Sequence, residues 1–492
     1  YTGVMGLGIA QIAALAGFDV KMFDAGEGVA NAARERLAGT LISLVARGKL
    51  ESSAADGAIA RLEPQSDLSS LQDCDVVVEA IVERLDVKRQ LFGDLESIVG
   101  PNAILASNTS SFSITAIASA CVRPERVIGF HFFNPVPLMR IVEVVGGERT
   151  DPDVIDAMLD LGARMGHRAV LASDTPGFIV NHAGRGYVTE AMKMFQEGVA
   201  PVETIDRILR AAGFRMGPHE LLDLTGLDVS HPVMESIHEQ FYGDPRYRPS
   251  YALRRRMEAG LLGRKTGRGF YSYDAVRDDD SSRADGPISG IDRQRPLWVW
   301  AAFEDWRKRV AELASAVGVI VESDDRPSPE ALCLIAPAGE DATTVAHRLA
   351  LDPARVVAVD LLGEPPIHVI MGTPLTDERS LRAAHAVLES SAPVAEINDS
   401  LGFVAQRVMA MVVNIAAEMA QQRIASPEDI DAAVKLGLGY PFGPLEWGDR
   451  LGPQRILAIT ETLFRETGDP RYRPSPWLTR RARLGISLLR PD

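Results

Sequence analysis

The octapeptide GDPRYRPS stands at 243–250 and again at 468–475. Two further pairs share the spacing. DTPGFIVN at 174–181 answers DSLGFVAQ at 399–406, and GFRMGPHELLD at 213–223 answers GYPFGPLEWGD at 439–449, with offsets of 225 and 226 residues. The segments between them, such as FIVNHAGRGYVTEAMKMF and VETIDRILRAAG, carry helical periodicity. In the second copy, SPEDIDAAV opens with Ser426 as N-cap, Pro427 at N1 and acids in the first turn, which predicts a well-formed helix start. Any fold for this chain must therefore hold one helical scaffold twice. The Asp-Pro and Arg-Pro steps of GDPRYRPS predict a rigid turn with local Asp, Arg and Tyr contacts.

Composition narrows the function classes. With 492 residues, 46% hydrophobic and 24% charged, the chain is globular and long enough for three or four domains. A net charge of −15 repels polyanions, so no nucleic-acid or membrane partner is expected. Cys74, Cys121 and Cys333 show neither metal-ligand nor disulfide spacing, which predicts no metal site and a reducing, cytoplasmic setting. No apolar run reaches the ~18 residues that span a bilayer.

The N-terminus, YTGVMGLGIAQIAALAGFDVKMFDA, carries the first chemistry. Gly3, Gly6 and Gly8 open an apolar helix that Gly17 ends, and VKMF reads as a buried strand closing on Asp24. That is a dinucleotide-binding pattern: glycines admit a pyrophosphate to a helix N-terminus, and the acid accepts from ribose hydroxyls. Asp24 would repel a 2′-phosphate, which favours NAD over NADP. Tyr1 stands where the first glycine of the pattern belongs, with no strand ahead of it. A Rossmann sheet lacking its central strand would expose both flanking strands, so sequence upstream of Tyr1 is expected. CDVVVEAIVE at 74–83 and AILASNTSS at 103–111 read as further strands, placing Glu83, Lys88, Asn108 and Ser110 at the carboxyl edge where ligands bind. Loop solubility and helix capping account for each of these alone equally well.

RVIGFHFFNPVPLMRIVEVVGG, at 126–147, reads as two strands joined by a proline-bearing turn. Such a hairpin brings His131 beside Glu143. An imidazole can take a proton from an alcohol, and a carboxylate behind it fixes the tautomer and stabilises the imidazolium.

GVMGLGIAQ, VVEAIVE, SNTSS, HFFNPVP, VEVVGG, DTPGFIVN and KTGRGFY, in that order over about residues 1–275, resemble the 3-hydroxyacyl-CoA dehydrogenases. The resemblance extends to bacterial 3-hydroxybutyryl-CoA and phenylacetate-pathway types. It implies NAD-dependent oxidation of a (3S)-3-hydroxyacyl-CoA to the 3-oxoacyl-CoA in fatty-acid or phenylacetate catabolism. His131 takes the role of catalytic base and Glu143 that of its partner, while Ser110 and Asn181 orient the substrate. Cofactor contacts carry over to Gly3, Met5, Gly6, Asp24, Glu83, Lys88, Ser110, Asn134 and Lys265. Arg47 and Lys49 fall where the family meets the CoA moiety, although a solvated helix face accounts for them equally well. A carboxylated acyl end would need a cation, for which Arg140 and Arg185 are candidates only through their proximity to motif residues.

The implied fold is an α/β Rossmann-type NAD-binding domain at 1–172 and an all-α domain at 173–275. A linker at 276–296, a degenerate Rossmann-like domain at 297–395 and a second all-α domain at 396–492 follow. In RVVAVDLLGEPP, Asp360 replaces His131 and Gly363 replaces Asn134; Gln406 replaces Asn181, and no SNTSS counterpart is visible. The second copy stops just short of an RKTGRGFY equivalent. The second half is thus read as an inactive duplicate whose helices pack on the first copy, as two subunits of a homodimer do in single-copy members. A homodimer of the whole chain also remains open. Two other readings stand beside this one: a crystallin-like, non-catalytic relative, and a hydroxyacid dehydrogenase with a catalytic lysine.

Overall fold

The computed structural model describes residues 2–273, 292–363 and 366–492. Most of the expected linker, together with Glu364 and Pro365 of the GEPP stretch, lies outside them. Two compact units are present: one of residues 1–182, 422–439 and 491, the other of 183–421, 440–490 and 492.

In the first unit the glycine loop runs into helix Val4–Leu15, then strand β1 (Val20–Phe23). Helices Val29–Ala46 and Ser52–Ala60 lead to β2 (Leu62–Gln65), which pairs parallel with β1. A separate sheet holds β3 (Val76–Glu79), β4 (Ile104–Ser107), β5 (Val127–Phe132), β6 (Ile141–Gly146) and β7 (Arg168–Ser173) in that spatial order. Its pairs are parallel except β5 with β6. All six residues of β5 are buried, as suits a central strand covered on both faces. Ile9, Ile104, Ile128, Phe130, Val144 and Met158 form the core beneath the sheet. Among the described residues β1 and β3 are edge strands, and Met22, Val76 and Val78 line a cavity of about 1110 Å³.

Segment 422–439 completes this unit. Ser173 N donates to Ile424 O at 2.8 Å, and Arg168 Nη2 meets Glu428 and Asp429, each at 3.1 Å.

The second unit contains β8 (Leu297–Ala301), β9 (Leu332–Ala336), β10 (Val356–Val359), β11 (His368–Gly372) and β12 (Val394–Ile397). They lie in sequence order with the same parallel, parallel, antiparallel, parallel pairing as β3 to β7. The duplication therefore includes the five-stranded sheet, and nothing in 292–331 matches the glycine loop, β1 and β2. In the same unit, helix Arg185–Glu197 packs on helix Val404–Gln421. They cross where a Cβ on Gly186 would lie 3.2 Å from the Met411 backbone. Positions 186 and 411 are 225 apart, so the repeat meets its own equivalent there, as at a two-fold axis. The absent side chain at Gly186 is what lets the two backbones approach.

Both GDPRYRPS turns form short 3₁₀ turns, Pro245–Tyr247 and Pro470–Tyr472, each capped by its own aspartate. Their contacts are not only local, as the sequence reading expected. Arg246 Nη2 donates to Arg473 O at 3.1 Å, Tyr472 Oη donates to Glu190 at 2.8 Å, and Arg471 lies 3.5 Å from Glu190. Arg407 joins Glu190 at 2.7 Å and Glu197 at 2.6 Å. The turns form part of the seam between the copies, a role invisible in either alone.

Candidate active site

Hairpin register sets the centre of the site. β5 and β6 pair antiparallel with His131 directly opposite Glu143, and His131 Nδ1 lies 2.6 Å from Glu143 Oε2. Glu143 is fully buried and His131 only 4% exposed. Glu143 Oε1 accepts from Ile179 N at 3.0 Å and Val180 N at 2.9 Å. With two amides donating to it, this carboxylate acts as an acceptor toward Nδ1 too, which puts the imidazole hydrogen on Nδ1 and leaves the Nε2 lone pair to take a proton. The rings of Phe133 and Phe178 stand at 4.5 and 5.7 Å from the imidazole and limit its rotation.

The turn that aims those amides is strained. Phe178 has φ +48°, a left-handed conformation unfavourable for a bulky side chain. It lets the chain enter helix Val180–Ala183 with its first amides on Glu143, and Asn181 follows directly.

A second cluster lies at the ends of β3 and β4. Glu79, 3% exposed, accepts from Lys88 Nζ at 2.7 Å, Ser107 Oγ at 2.7 Å and Ile81 N at 2.6 Å. Lys88, 1% exposed, also reaches Glu83 at 3.1 Å. Glu83 Oε1 accepts from Thr109 Oγ1 at 2.6 Å, Ser110 N at 3.0 Å and Ser111 Oγ at 2.8 Å. Burial opposes ionisation of Glu83, but Lys88 and these hydroxyls hold its carboxyl below the usual range. Asn108 Oδ1 accepts from Phe132 N at 2.8 Å and ties the loop to the His131 strand.

The residues present fit a dinucleotide. Helix Val4–Leu15 starts after Gly3 with no side chain capping its first amides, so they are available to an anion. Gly6 lies in the first turn of this helix and Asp24 directly follows β1, and Met5 packs against the core. A Cβ on Gly8 would fall 2.7 Å from Val136 Cβ, so only glycine lets the helix approach there. Partial burial works against the Asp24 charge, yet donors from Thr2 and Gly26 hold its carboxyl below its ordinary value. Asn134 is exposed, in a cis peptide with Pro135.

The other candidates are more scattered. Lys265 belongs to the second unit, where it pairs with Asp228. Arg47 and Lys49 are exposed at the end of helix Val29–Ala46. Arg140 is exposed, and Arg185 lies in the second unit, where burial pushes its guanidinium down to about 10 against the opposing effect of Tyr440. Sequence reasoning passed over Glu79, Ser107 and Thr109. All three lie inside the VVEAIVE and SNTSS motifs, but their roles depend on strand ends meeting across the sheet.

Equivalent positions in the second half form a closed arrangement. Asp360, 4% exposed, accepts from Leu362 N and from Gln406 Nε2, both at 3.0 Å. Gln406 also donates to Pro337 O at 3.1 Å and accepts from Gly339 N at 2.9 Å. A counterpart of the SNTSS loop does exist: Ile335–Asp341, IAPAGED, leaves β9 as Ser107–Ser113 leaves β4. The sequence hid it because none of its residues carries a hydroxyl.

Comparison with known proteins agrees with this geometry. Residues 2–175 match the 3-hydroxyacyl-CoA dehydrogenase NAD binding domain, and residues 177–273 and 402–486 match the 3-hydroxyacyl-CoA dehydrogenase C-terminal domain. A 3-hydroxyadipyl-CoA dehydrogenase from Escherichia coli is 37% identical over 484 residues, 98% of this chain and 96% of that protein. The chain belongs to the 3-hydroxyacyl-CoA dehydrogenase family. A crystal structure titled 3-hydroxybutyryl-CoA dehydrogenase from Escherichia coli has a TM-score of 0.85 at 36% identity, covering 98% of this chain and 97% of that one. A probable 3-hydroxybutyryl-CoA dehydrogenase from Deinococcus radiodurans is 43% identical over 272 residues, 55% of this chain and 97% of that protein. This family member is thus an NAD-dependent oxidoreductase with a Rossmann-type domain and a helical domain. Among the described residues no helix is long and apolar enough to cross a membrane.

Proposed function

We propose that the first half oxidises the C3 hydroxyl of a 3-hydroxyacyl-CoA, with His131 as general base and Glu143 as its partner. The carrying observation is the 2.6 Å His131–Glu143 contact backed by the Ile179 and Val180 amides. When bound, NAD supplies the hydride acceptor; Gly3, Met5, Gly6, Asp24, Glu83, Lys88, Ser110, Asn134 and Lys265 hold it directly or through neighbours. His131 Nε2 accepts the hydroxyl proton, and Glu143 stabilises the resulting imidazolium. Asn181 and Ser110 orient the substrate.

The second half, in this reading, holds no site of its own and supplies the partner helices within one chain. The five-part order and boundaries given by the sequence stand as part of the proposal, as does a cytoplasmic setting. The two matches of near full length, both from Escherichia coli, carry names with different acyl ends, one a short neutral chain and one ending in a carboxylate. Incubating the chain with NAD and either 3-hydroxybutyryl-CoA or 3-hydroxyadipyl-CoA, and following NADH absorbance, tests both activity and substrate. Absence of NADH across several acyl-CoAs would overturn the assignment, and the ratio of kcat/KM values decides the acyl class.

A further inference from the structure

The two sheets offer a control for one buried cluster. In the first, Glu79 on β3 pairs with Ser107 on β4. At the corresponding register of the second sheet, Trp300 on β8 pairs with Ile335 on β9. An apolar pair thus fills this place in a sheet of the same topology, and the carboxylate and hydroxyl are not what the fold requires there. Burying a charged group is costly unless it is paired, and a buried ion pair is weak evidence for stability. Its retention beside the cofactor loop calls for another role.

The geometry points to Glu79 as a positioning residue for the cofactor loop, acting through Lys88 and Glu83; this rests on the NAD-dependent reading above. Glu79 and Lys88 are 3% and 1% exposed. From Lys88 the contacts run to Glu83 at 3.1 Å and on to Thr109, Ser110 and Ser111. Glu79 shares the Lys88 charge and fixes where the ammonium sits. Without that carboxylate, Lys88 has Glu83 as its remaining carboxylate neighbour and draws it inward, and the 109–111 loop loses its clamp. Sequence motifs put Glu83 and Lys88 at the cofactor. The structure adds the residue that holds them, which touches neither cofactor nor substrate in this role.

The test uses the full chain and Glu79→Gln, with NADH affinity measured by fluorescence titration alongside steady-state kinetics. Loss of one charge-assisted bond predicts about a tenfold or greater rise in the NADH Kd and in KM for NAD. KM for the hydroxyacyl-CoA should rise less than KM for NAD, because Ser110 is only one of the groups that orient the substrate and the hairpin carrying His131 is untouched. A triple variant, Glu79→Trp, Ser107→Ile and Lys88→Met, borrows the apolar pair of the second half; it should fold by circular dichroism and bind NADH weakly. An unchanged Kd in either folded variant overturns the proposal, as does a parallel rise of both KM values. Wild-type chain that binds no NADH would overturn the cofactor reading itself, a result distinct from wild type and variants binding alike.

Discussion

The two five-stranded sheets share order and pairing, yet their carboxyl ends differ in kind. At the end of β5, His131 faces Glu143, and the SNTSS loop presents hydroxyls and backbone amides around a charged cluster. At the end of β10, Asp360 is tied to Gln406, which also bonds to Pro337 and Gly339 in a loop that carries none of the hydroxyls of its SNTSS counterpart. Phe178 is held at positive φ before a helix that breaks at Gly184, whereas its equivalent Phe403 is not, and Val404–Gln421 runs unbroken. If the first half carries the reaction, as proposed, the positive φ at Phe178 and the His131–Glu143 pair sit beside the chemistry, whereas the second copy ties its one buried acid at this place to an amide side chain.

The sharpest way to break this contrast is paired substitution. His131→Ala should lower kcat by about a thousandfold or more, since removal of a positioned general base costs ~10²–10⁴. Asp360→Asn should leave kcat within about twofold, because activity lost to destabilisation alone is recovered when the folded fraction is measured. Comparable losses in both would show that the second site takes part in turnover.

The seam between the helical copies gives the next largest effect. Glu190 is fully buried between Arg407, Arg471 and Tyr472. The charges are not repeated: position 415, its equivalent, is Ile, and Glu418, 3.7 Å from Arg246, corresponds to Lys193. Pairing first copy with first copy would set Arg246 toward a lysine, so the pattern favours first against second. Glu190→Ala leaves two arginines buried without that carboxylate and should cost about 3–5 kcal/mol in denaturant unfolding. A loss below about 1 kcal/mol would argue that the seam is held by apolar packing alone.

Much of this was legible in the sequence, for identifiable reasons. β1, β3, β4 and the β5–β6 hairpin follow from apolar runs ending in polar residues, and the hairpin placed His131 by Glu143 because register follows from strand alternation. The helical duplication was visible through glycine, proline and aspartate positions, which turns constrain closely. The duplicated sheet was harder to see. Its strands are short and buried on both faces, so Val, Ile, Leu and Ala replace one another freely and leave no motif. Likewise Glu79 and the Glu190–Arg407 pair depend on residues meeting across strands or copies, which local periodicity does not encode.

Asp360 sharpens the contrast through pH. Burial raises its carboxyl to about 6, against the opposing bonds from Leu362 N and Gln406. A folded pKa above the unfolded value means that the stabilisation is complete below about pH 4 and is lost as pH rises through about 6, by roughly 3 kcal/mol in total. Asp360→Asn should remove that slope between pH 4 and 6 from the unfolding free energy. An identical slope in wild type and variant would place the ionisation elsewhere.

The smallest effect tests what the copies still share. Asp174 accepts from Ile114 N at 2.9 Å and Thr115 N at 2.8 Å, and Asp399 accepts from Ala342 N at 2.8 Å and Thr343 N at 3.3 Å. In each copy the aspartate ahead of the Gly-Phe turn therefore holds the start of the helix that follows the second strand of its sheet. Replacing either by alanine should cost about 1 kcal/mol, the usual worth of a helix N-cap. Such a cap serves the fold whether or not a catalytic site lies beside it, so the two losses should agree within about 0.5 kcal/mol. A markedly larger loss at Asp174, accompanied by a change in kcat, would mean that this aspartate has been drawn into the chemistry and that scaffold and site are less separable than the two sheets indicate.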